Sequence, residues 1–273
     1  MRADLHTHTN HSDGKYSVEA LLDLAIKNNL DIISITDHDT FDGVKEALKL
    51  KRDIRIVIGV EFSTTRNDEN IHILSYFKDL DGITDLELIL EKQIFNRNKR
   101  AYMVLDKLKE HFNIDLNPGF IKEVKGVTRG TIAREIKKQG YDYSNRIIFK
   151  YMIGEGCPAY IPSSKISAED GIQAVKAAGG LAVLAHPMFL EKNDVEDIIK
   201  LGIDGIEARY PHKFDQEDKY RKIAKENHLF VTAGSDFHDF DDGRHGNIGS
   251  VYLQGKDLDV FLEVLYECEK TCI

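Results

Sequence analysis

Short apolar runs alternate with amphipathic stretches along most of the chain. The runs IISI (32–35) and LAVLA (181–185) are continuously apolar, which is typical of strands buried on both faces of a parallel sheet. Between such runs, apolar residues recur every three to four positions, as they do on the buried face of a helix. The pattern predicts seven short strands, at residues 3–5, 32–35, 56–61, 71–77, 181–185, 205–208 and 229–235.

Helix boundaries are marked by polar caps. The segment SVEALLDLAIKN (17–28) opens with Ser17, a residue type that caps helix N-termini. The segment SAEDGIQAVKAA (167–178) opens in the same way with Ser167 and is followed by two glycines, which favour a helix C-terminus. Strands that alternate with helices predict an α/β fold, in which helices cover a mostly parallel sheet. About seven strands are enough to form a closed or nearly closed barrel.

The strand pattern stops near residue 82 and returns near residue 163. The intervening residues are rich in Lys, Arg, Asn and Glu, and apolar positions recur at helical spacing in LELILEKQIFNRNKRAYMVLDKLKEHF (86–112). We therefore predict a helical insertion domain at 82–162 within a barrel made of residues 1–81 and 163–273.

Composition excludes several classes of protein. The 273 residues are 42% hydrophobic, and no apolar run approaches the roughly 20 residues that span a bilayer. The first predicted strand begins almost at once, which leaves no room for a signal peptide. Three cysteines (Cys157, Cys268 and Cys272) form no disulfide framework, which suits a reducing cytosol. We predict a cytoplasmic protein with no membrane contact and no evident obligate protein partner. The net charge of −9 argues against broad nucleic-acid binding, but not against one local anion site.

Candidate chemistry begins at the amino terminus, in DLHTHTNHSDG (4–14). His6 and His8 are two residues apart on a predicted strand, so their imidazoles point to the same face. Active sites of βα barrels lie where the strands end, and other imidazoles and carboxylates follow other predicted strands. The full set of candidate metal ligands is His6, His8, Asp13, His38, Glu61, His72, His186, Asp236 and His238.

One histidine near a strand end is usually a core or surface residue, but nine donors at the ends of six strands are hard to explain by chance. Imidazoles and carboxylates without thiolates suit Mn, Fe or Zn. Nine donors exceed the needs of one ion, because a catalytic zinc uses about three protein ligands. We predict two to three divalent metal ions, with Glu61 bridging a pair.

Five motifs, HTHTNHSDG, ITDHDT, GVEFS, LAHP and GSDFH, resemble in order and spacing those of the PHP (polymerase and histidinol phosphatase) family of metalloenzymes. The resemblance implies a distorted seven-stranded βα barrel in which a helical insertion caps the site. TRGTIAREIKKQGY and AYIPSSKIS look like the branch of small phosphoesterases that act on nucleoside 3′,5′-bisphosphates and on 5′-phosphorylated RNA ends.

The resemblance also implies three metal positions. The first would be held by His6, His8, Glu61 and Asp236, the second by Glu61, His72 and His186, and the third by Asp13, His38 and His238. Some relatives carry histidine where this chain has Asp13, so occupancy of the third position stays open. His11 matches no ligand position and is interpreted as a supporting or exposed residue.

Candidate substrate contacts are cationic residues near these motifs. Where relatives often have Arg-Pro-His, this chain has Arg129, Gly130 and Thr131, so one histidine contact is missing. His245 is also a candidate proton donor to the leaving oxygen, and Tyr160 is a candidate for stacking on a base. The predicted substrate-binding residues are Arg129, Arg134, Arg209, His212 and His245.

We predict a metal-dependent phosphoesterase that hydrolyses a phosphomonoester of a small nucleotide, a nucleoside 3′,5′-bisphosphate first, by attack of a metal-activated hydroxide. One alternative is a 5′-3′ exonuclease acting on short 5′-phosphorylated RNA or DNA, and another is a noncatalytic metal-binding module. The lack of a strong basic stripe favours small substrates, and the intact donor set argues against the noncatalytic module.

Overall fold

The computed structural model describes residues 1–124, 126–162, 164–240 and 243–267, so Cys268 and Cys272 lie outside the described residues. The chain divides into two compact units, the barrel unit (Met1–Leu90 with Ile166–Ile273) and the insertion unit (Glu91–Lys165). The sequence pattern placed the insertion at 82–162. The first boundary falls later in the structure because Ile83, Leu86 and Leu90 pack into the core of the barrel unit.

The barrel unit is built on one sheet of eight strands in the order β7-β6-β5-β4-β3-β2-β1-β8. All seven predicted strands are present. The eighth was not predicted, because β8 has only two residues and shows no periodicity. The strands are β1 (Arg2–Thr7), β2 (Ile32–Ile35), β3 (Arg55–Arg66), β4 (Glu69–Phe77), β5 (Leu181–Leu184), β6 (Gly205–Arg209), β7 (Phe230–Ala233) and β8 (Leu253–Gln254).

The sheet is mixed, whereas the sequence predicted a mostly parallel one. β4 runs antiparallel to both β3 and β5, and β8 runs antiparallel to β1. A tight hairpin reverses the chain between β3 and β4, with Asn67 and Asp68 at φ values of 49° and 57°. These residue types tolerate the left-handed region that two-residue hairpin turns require. As a result, the amino end of β4 lies at the edge where the parallel strands end.

The sheet nearly closes between β1 and the segment after β7. The amide of Asp236 donates to the carbonyl of His6 at 2.8 Å, and the amide of His8 donates to the carbonyl of Phe237 at 2.9 Å. This contact needs a glycine at position 234, because a Cβ there would lie 2.3 Å from the Cβ of His6. The closure places the motifs GSDFH and HTHT side by side.

Helices of the barrel unit cover the sheet and confirm both predicted caps. The Ser17 hydroxyl accepts from the amide of Ala20 at 3.3 Å, and the Ser167 hydroxyl accepts from the amide of Asp170 at 3.0 Å. In chain order, and counting those of the insertion, the helices are α1 (Val18–Lys27), α2 (Asp42–Ala47), α3 (Thr84–Phe112), α4 (Phe120–Glu123), α5 (Arg129–Lys138), α6 (Asn145–Ile147), α7 (Ala168–Ala177), α8 (Val195–Ile199), α9 (Glu217–Glu226) and α10 (Gly255–Glu267).

The insertion unit is helical, as predicted, and its described residues contain no strand. It comprises most of α3, then α4 to α6, and a π-helical stretch at Ile148–Ile153. It has a hydrophobic core of its own, in which Leu108, Val127, Ile132 and Ile136 are fully buried or nearly so. Across the described part of the chain, none of the helices combines the length and apolar content needed to cross a bilayer.

Candidate metal centre

Strand β1 contributes two of the candidate metal ligands, because side chains alternate along a strand. His6 and His8 point to the same face, as predicted, and both are completely buried, with ring centroids 5.2 Å apart. The loop that follows β1 is held by Asp37, which accepts from the Thr9 amide at 2.7 Å and from the Ser12 hydroxyl at 2.6 Å. This loop carries Asp13 back toward the two imidazoles.

Glu61 lies at the centre of the site. Its Oε2 is 3.3 Å from His6 Nε2, 3.2 Å from His8 Nε2 and 3.1 Å from His38 Nδ1. The contact between His38 and Glu61 follows from the backbone, because these two residues form a parallel β-bridge just beyond the end of β2. Three imidazoles from two different segments therefore converge on one carboxylate oxygen.

The other oxygen of Glu61 faces a second pair of imidazoles. Its Oε1 lies 2.8 Å from His72 Nδ1 and 3.2 Å from His186 Nε2. The sequence placed Glu61 at the end of its strand, but it lies in the middle of the 12-residue β3. Likewise, His72 comes from near the amino end of β4 rather than from a carboxyl end, because β4 is antiparallel.

The last motif completes the site from the segment after β7. Asp236 Oδ1 lies 3.2 Å from His6 Nε2 and 3.1 Å from His8 Nε2. His238 Nε2 lies 3.1 Å from Asp13 Oδ1. In each of three groups of residues, the ligand atoms all lie within 4.8 Å of one another. The groups are His8, Asp13, His38 and His238; His6, His8, Glu61 and Asp236; and His38, Glu61 and His72.

Buried atoms without partners show that the donor set fits metal ions. Among the described residues, polar atoms that are buried without a hydrogen-bond partner include His6 Nε2, His8 Nε2, His38 Nδ1, Asp13 Oδ1 and Asp236 Oδ1. An unsatisfied buried polar atom costs about 1–3 kcal/mol. Five such atoms that face one another, all nitrogen or oxygen, make a coherent set of ligands for divalent Mn, Fe or Zn.

The protein's own charges set the protonation of the site. Burial alone would lower the pKa of His8, but the nearby carboxylates of Asp236 and Glu61 raise it to about 10. Burial alone would raise the pKa of Glu61, but the surrounding imidazoles, His38 and His72 foremost, hold it well below its usual range. The carboxylates are therefore ionised at neutral pH, and a bound cation must displace protons from imidazoles.

Two residues that the sequence pattern did not mark, Glu207 and Tyr210, contact candidate ligands and hold them in place. Glu207 is fully buried on β6, where its Oε1 lies 3.0 Å from His6 Nδ1 and its Oε2 accepts from the His186 amide at 2.8 Å. The Tyr210 hydroxyl donates to Asp236 Oδ2 at 2.6 Å. Such partners fix the orientation of metal ligands. A lone glutamate in the apolar strand GIEA was the signal for the first of them.

His245 is the one predicted substrate-binding residue of the barrel unit that lies against the metal cluster. Its ring stacks on His238 with centroids 4.2 Å apart, and its Nε2 lies 3.7 Å from Asp236 Oδ2. Arg209 instead contacts Glu217, with Nε 3.4 Å from Oε2. His212 is exposed, and the half-buried His11 pairs with Glu46 at 2.7 Å.

Arg129, Arg134 and Tyr160 belong to the insertion unit. Arg129 is the first residue of α5, after the N-cap Thr128, and its guanidinium carbon lies 5.8 Å from the centroid of the Tyr160 ring. Arg134 is exposed one and a half turns later on the same helix.

A nearly closed barrel that gathers six histidines and three carboxylates at one edge defines a metal-dependent hydrolase. The PHP domain model matches residues 4–152, more than half of the chain. The chain is 32% identical over 247 residues to a 5′-3′ exoribonuclease of Haemophilus influenzae, a match that covers 86% of this chain and 89% of that protein. The chain belongs to the PHP family and is a metal-dependent phosphoester hydrolase.

Two further relatives agree with this assignment. A 3′,5′-nucleoside bisphosphate phosphatase of Chromobacterium violaceum is 28% identical, over 86% of each chain. A crystal structure of a putative metal-dependent phosphoesterase from Bifidobacterium adolescentis superimposes with a TM-score of 0.80 at 26% identity, covering 95% of both chains. The family is thus supported by sequence and by fold, while the named substrates of the relatives differ.

Proposed function

We propose that this phosphoesterase hydrolyses a phosphomonoester of a small nucleotide, a nucleoside 3′,5′-bisphosphate first. The observation that carries the proposal is the convergence of nine imidazole and carboxylate donors on one edge of the barrel. Several of their buried ligand atoms have no hydrogen-bond partner among the described residues. The relative named as a 3′,5′-nucleoside bisphosphate phosphatase supports this choice of substrate.

We assign two to three divalent cations of Mn, Fe or Zn to three groups of ligands. These groups are His6, His8, Glu61 and Asp236; Glu61, His72 and His186; and Asp13, His38 and His238. When bound, such cations lower the pKa of water and neutralise the charge of a phosphoryl group. Six of the nine donors are imidazoles, which bind a cation without cancelling its charge. An acidic protein can therefore present a site that attracts a phosphate ester.

The chain's own residues orient this chemistry. Glu207 holds the Nδ1 side of His6, so that Nε2 faces the cluster, and Tyr210 fixes one oxygen of Asp236. His245 stacks on His238 and is half-buried, which suits a group that holds a proton and delivers it to the leaving oxygen. Arg129, Arg134, Arg209 and His212 remain proposed substrate contacts. The guanidinium forks of the three arginines match phosphate oxygens.

A second candidate is a 5′-3′ exonuclease on short 5′-phosphorylated RNA or DNA. The insertion unit favours it, because residues 91–165 contain 15 lysines and arginines against eight aspartates and glutamates. The whole-chain charge of −9 hides this excess. Relatives named 5′-3′ exoribonuclease, at 30% and 32% identity, point in the same direction.

A phosphate-release screen with the manganese-loaded enzyme tests the proposal. The substrates are adenosine 3′,5′-bisphosphate, AMP, histidinol phosphate and 5′-phosphorylated oligonucleotides. We expect the bisphosphate to give the highest kcat/KM. Stepwise release of nucleotides from the oligonucleotides, without turnover of the bisphosphate, would reverse the order of the two candidates. Turnover of none of the four would refute both.

A further inference from the structure

An exposed aromatic ring lies beside the metal centre in the barrel unit. Phe189 follows the candidate ligand His186 by three residues and ends the single helical turn Pro187–Phe189 that comes after β5. Its ring centroid lies 5.8 Å from that of His186, yet 39% of Phe189 is exposed. The ring is therefore next to a candidate metal ligand and open to solvent at the same time.

The backbone fixes the position of this ring. His186 has a φ of 31°, a value that a histidine rarely adopts, and its amide donates to Glu207 Oε2 at 2.8 Å. The Phe189 amide donates in turn to the carbonyl of His186 at 3.2 Å. A strained backbone persists only where its surroundings hold it, and such residues cluster at functional sites. Phe189 is therefore presented by a turn that its neighbours hold in place.

Tyr210 packs against the same ring. The rings of Phe189 and Tyr210 meet at 88° with their centroids 5.3 Å apart, which is an edge-to-face contact. Tyr210 is almost completely buried, and its hydroxyl donates to Asp236 Oδ2 at 2.6 Å. Phe189 is thus held by a residue that contacts a second candidate ligand, while part of its own surface stays accessible.

A cation lies next to the exposed ring. Lys213 is half-buried, and its Nζ lies 5.7 Å from the centroid of the Phe189 ring. It forms no ion pair with any residue that the structure describes. A ring beside an ammonium group matches the two chemical parts of a nucleotide, which are a flat base and anionic phosphates. The ammonium group alone would suit many anions, but the ring adds a preference for a flat aromatic ligand.

We propose that Phe189 stacks on the nucleobase of the nucleotide whose phosphate ester is cleaved at the metal centre. This inference rests on the proposed function, because it takes the substrate to be a nucleotide. A nucleotide joins its base to its phosphates through one ribose, so a group that binds the base must lie near the phosphate site. Phe189 meets this condition through its contact with His186, and both residues belong to the barrel unit. Stacking then favours nucleotides over phosphomonoesters without a base.

Fluorescence tests the stacking without turnover. The ligand is 2-aminopurine riboside 3′,5′-bisphosphate with methylene groups in place of the ester oxygens, and the protein is the zinc-loaded enzyme. Stacking quenches 2-aminopurine, so we expect strong quenching in the wild type and in Phe189→Tyr, and little in Phe189→Leu. The matched control Phe95→Leu removes a 67% exposed ring from α3 and should keep the quenching. Full quenching in Phe189→Leu would place the base on another ring, such as Tyr160, and overturn the proposal.

Kinetics measure the preference for a base. In Phe189→Leu we expect KM for adenosine 3′,5′-bisphosphate to rise about tenfold. KM for the abasic analogue, in which hydrogen replaces the base, should change less than about twofold. Phe189→Tyr keeps an aromatic ring and should stay near the wild type with both substrates. Equal rises for the two substrates would show that the substitution disturbs the metal centre through His186, and would refute stacking.

Failure of this inference is distinguishable from failure of the proposed function. Nucleotide turnover in which Phe189→Leu leaves the preference for a base unchanged would refute stacking, and the phosphoesterase would stand. Quenching that depends on Phe189, without turnover of any nucleotide, would keep the base-binding site and refute the proposed function. Metal content by elemental analysis and the melting temperature show that each variant is folded and loaded.

Discussion

The barrel unit has a net negative charge, whereas the insertion unit has a net positive charge. Outside residues 91–165, the chain has 22 lysines and arginines against 38 aspartates and glutamates, while the insertion unit has 15 against eight. The barrel concentrates carboxylates and imidazoles that fit cations, and a bound metal ion would add positive charge at its site. The insertion unit supplies positive charge directly, from its own side chains.

This difference has a physical basis in how each group binds phosphate. A metal centre polarises a phosphoryl oxygen and activates water, which guanidinium groups do not do. Guanidinium forks hold a phosphate in one orientation without attacking it. The imidazole and carboxylate donors of the barrel unit and the cationic side chains of the insertion unit therefore suit different kinds of contact with phosphate.

Removing the central carboxylate should have the largest effect. Glu61→Gln replaces an ionised group that five imidazoles contact, so at least one metal ion should be lost. We expect kcat/KM to fall by about a thousandfold, with a lower metal-to-protein ratio by elemental analysis. The control Glu263→Gln changes an exposed glutamate of α10 and should leave both quantities as in the wild type. A Glu61→Gln enzyme with full metal content and activity would contradict the assignment.

Glu207→Gln should have the next largest effect. The buried glutamate orients His6 and also accepts from the His186 amide, so its replacement should misorient two ligands at once. Loss of such a partner reduces metal affinity or activity by about 10- to 100-fold. We expect weaker manganese binding by calorimetry, and activity that partly recovers at high manganese concentration. Reduced activity with unchanged manganese affinity would argue against this positioning role.

Metal affinity should rise with pH. The nearby carboxylates of Asp236 and Glu61 raise the pKa of His8 to about 10, so below that pH a cation must displace its proton. Each displaced proton makes the affinity increase by about tenfold per pH unit below that pKa. Manganese titrations at pH 6.5, 7.5 and 8.5, in buffers of different ionisation enthalpy, should show tighter binding at higher pH and proton release. Affinity independent of pH would show that His8 is neutral before the metal binds.

Salt should separate the two units. If the insertion unit contacts strand phosphates, KM for a 5′-phosphorylated oligonucleotide should rise about threefold per phosphate contact between 50 and 200 mM salt. KM for a small bisphosphate should change less, because fewer phosphates are held. Steady-state assays at constant manganese measure both. Identical salt dependence for the two substrates would remove the evidence for a strand-binding role of the insertion.

The smallest effect is expected at Arg134. Its side chain is exposed on α5, so a phosphate contact there is weakened by water. Arg134→Ala should raise KM by about two- to threefold, with kcat unchanged and a free energy of unfolding within about 0.5 kcal/mol of wild type. Steady-state kinetics and urea unfolding measure these values. An unchanged KM would remove Arg134 from the substrate site.

Much of the candidate site could be predicted because its residues sit in short motifs at predictable places. Period-two alternation placed His6 and His8 on one face, and the strand ends gathered donors from distant segments. The supporting residues Glu207 and Tyr210 were missed, because their role depends on which ligand atom they face across the barrel. Long-range pairing of that kind leaves little trace in the local pattern.

Local sequence is enough to predict the seven longer strands, the helical character of the insertion and the nine candidate ligands. These features follow from local periodicity, capping residues and donor chemistry. Tertiary packing set the reversed direction of β4, the central place of Glu61 and the contact of Glu207 with His6. Strand direction and the meeting of distant side chains depend on chain closure and packing, so no local stretch of residues encodes them alone.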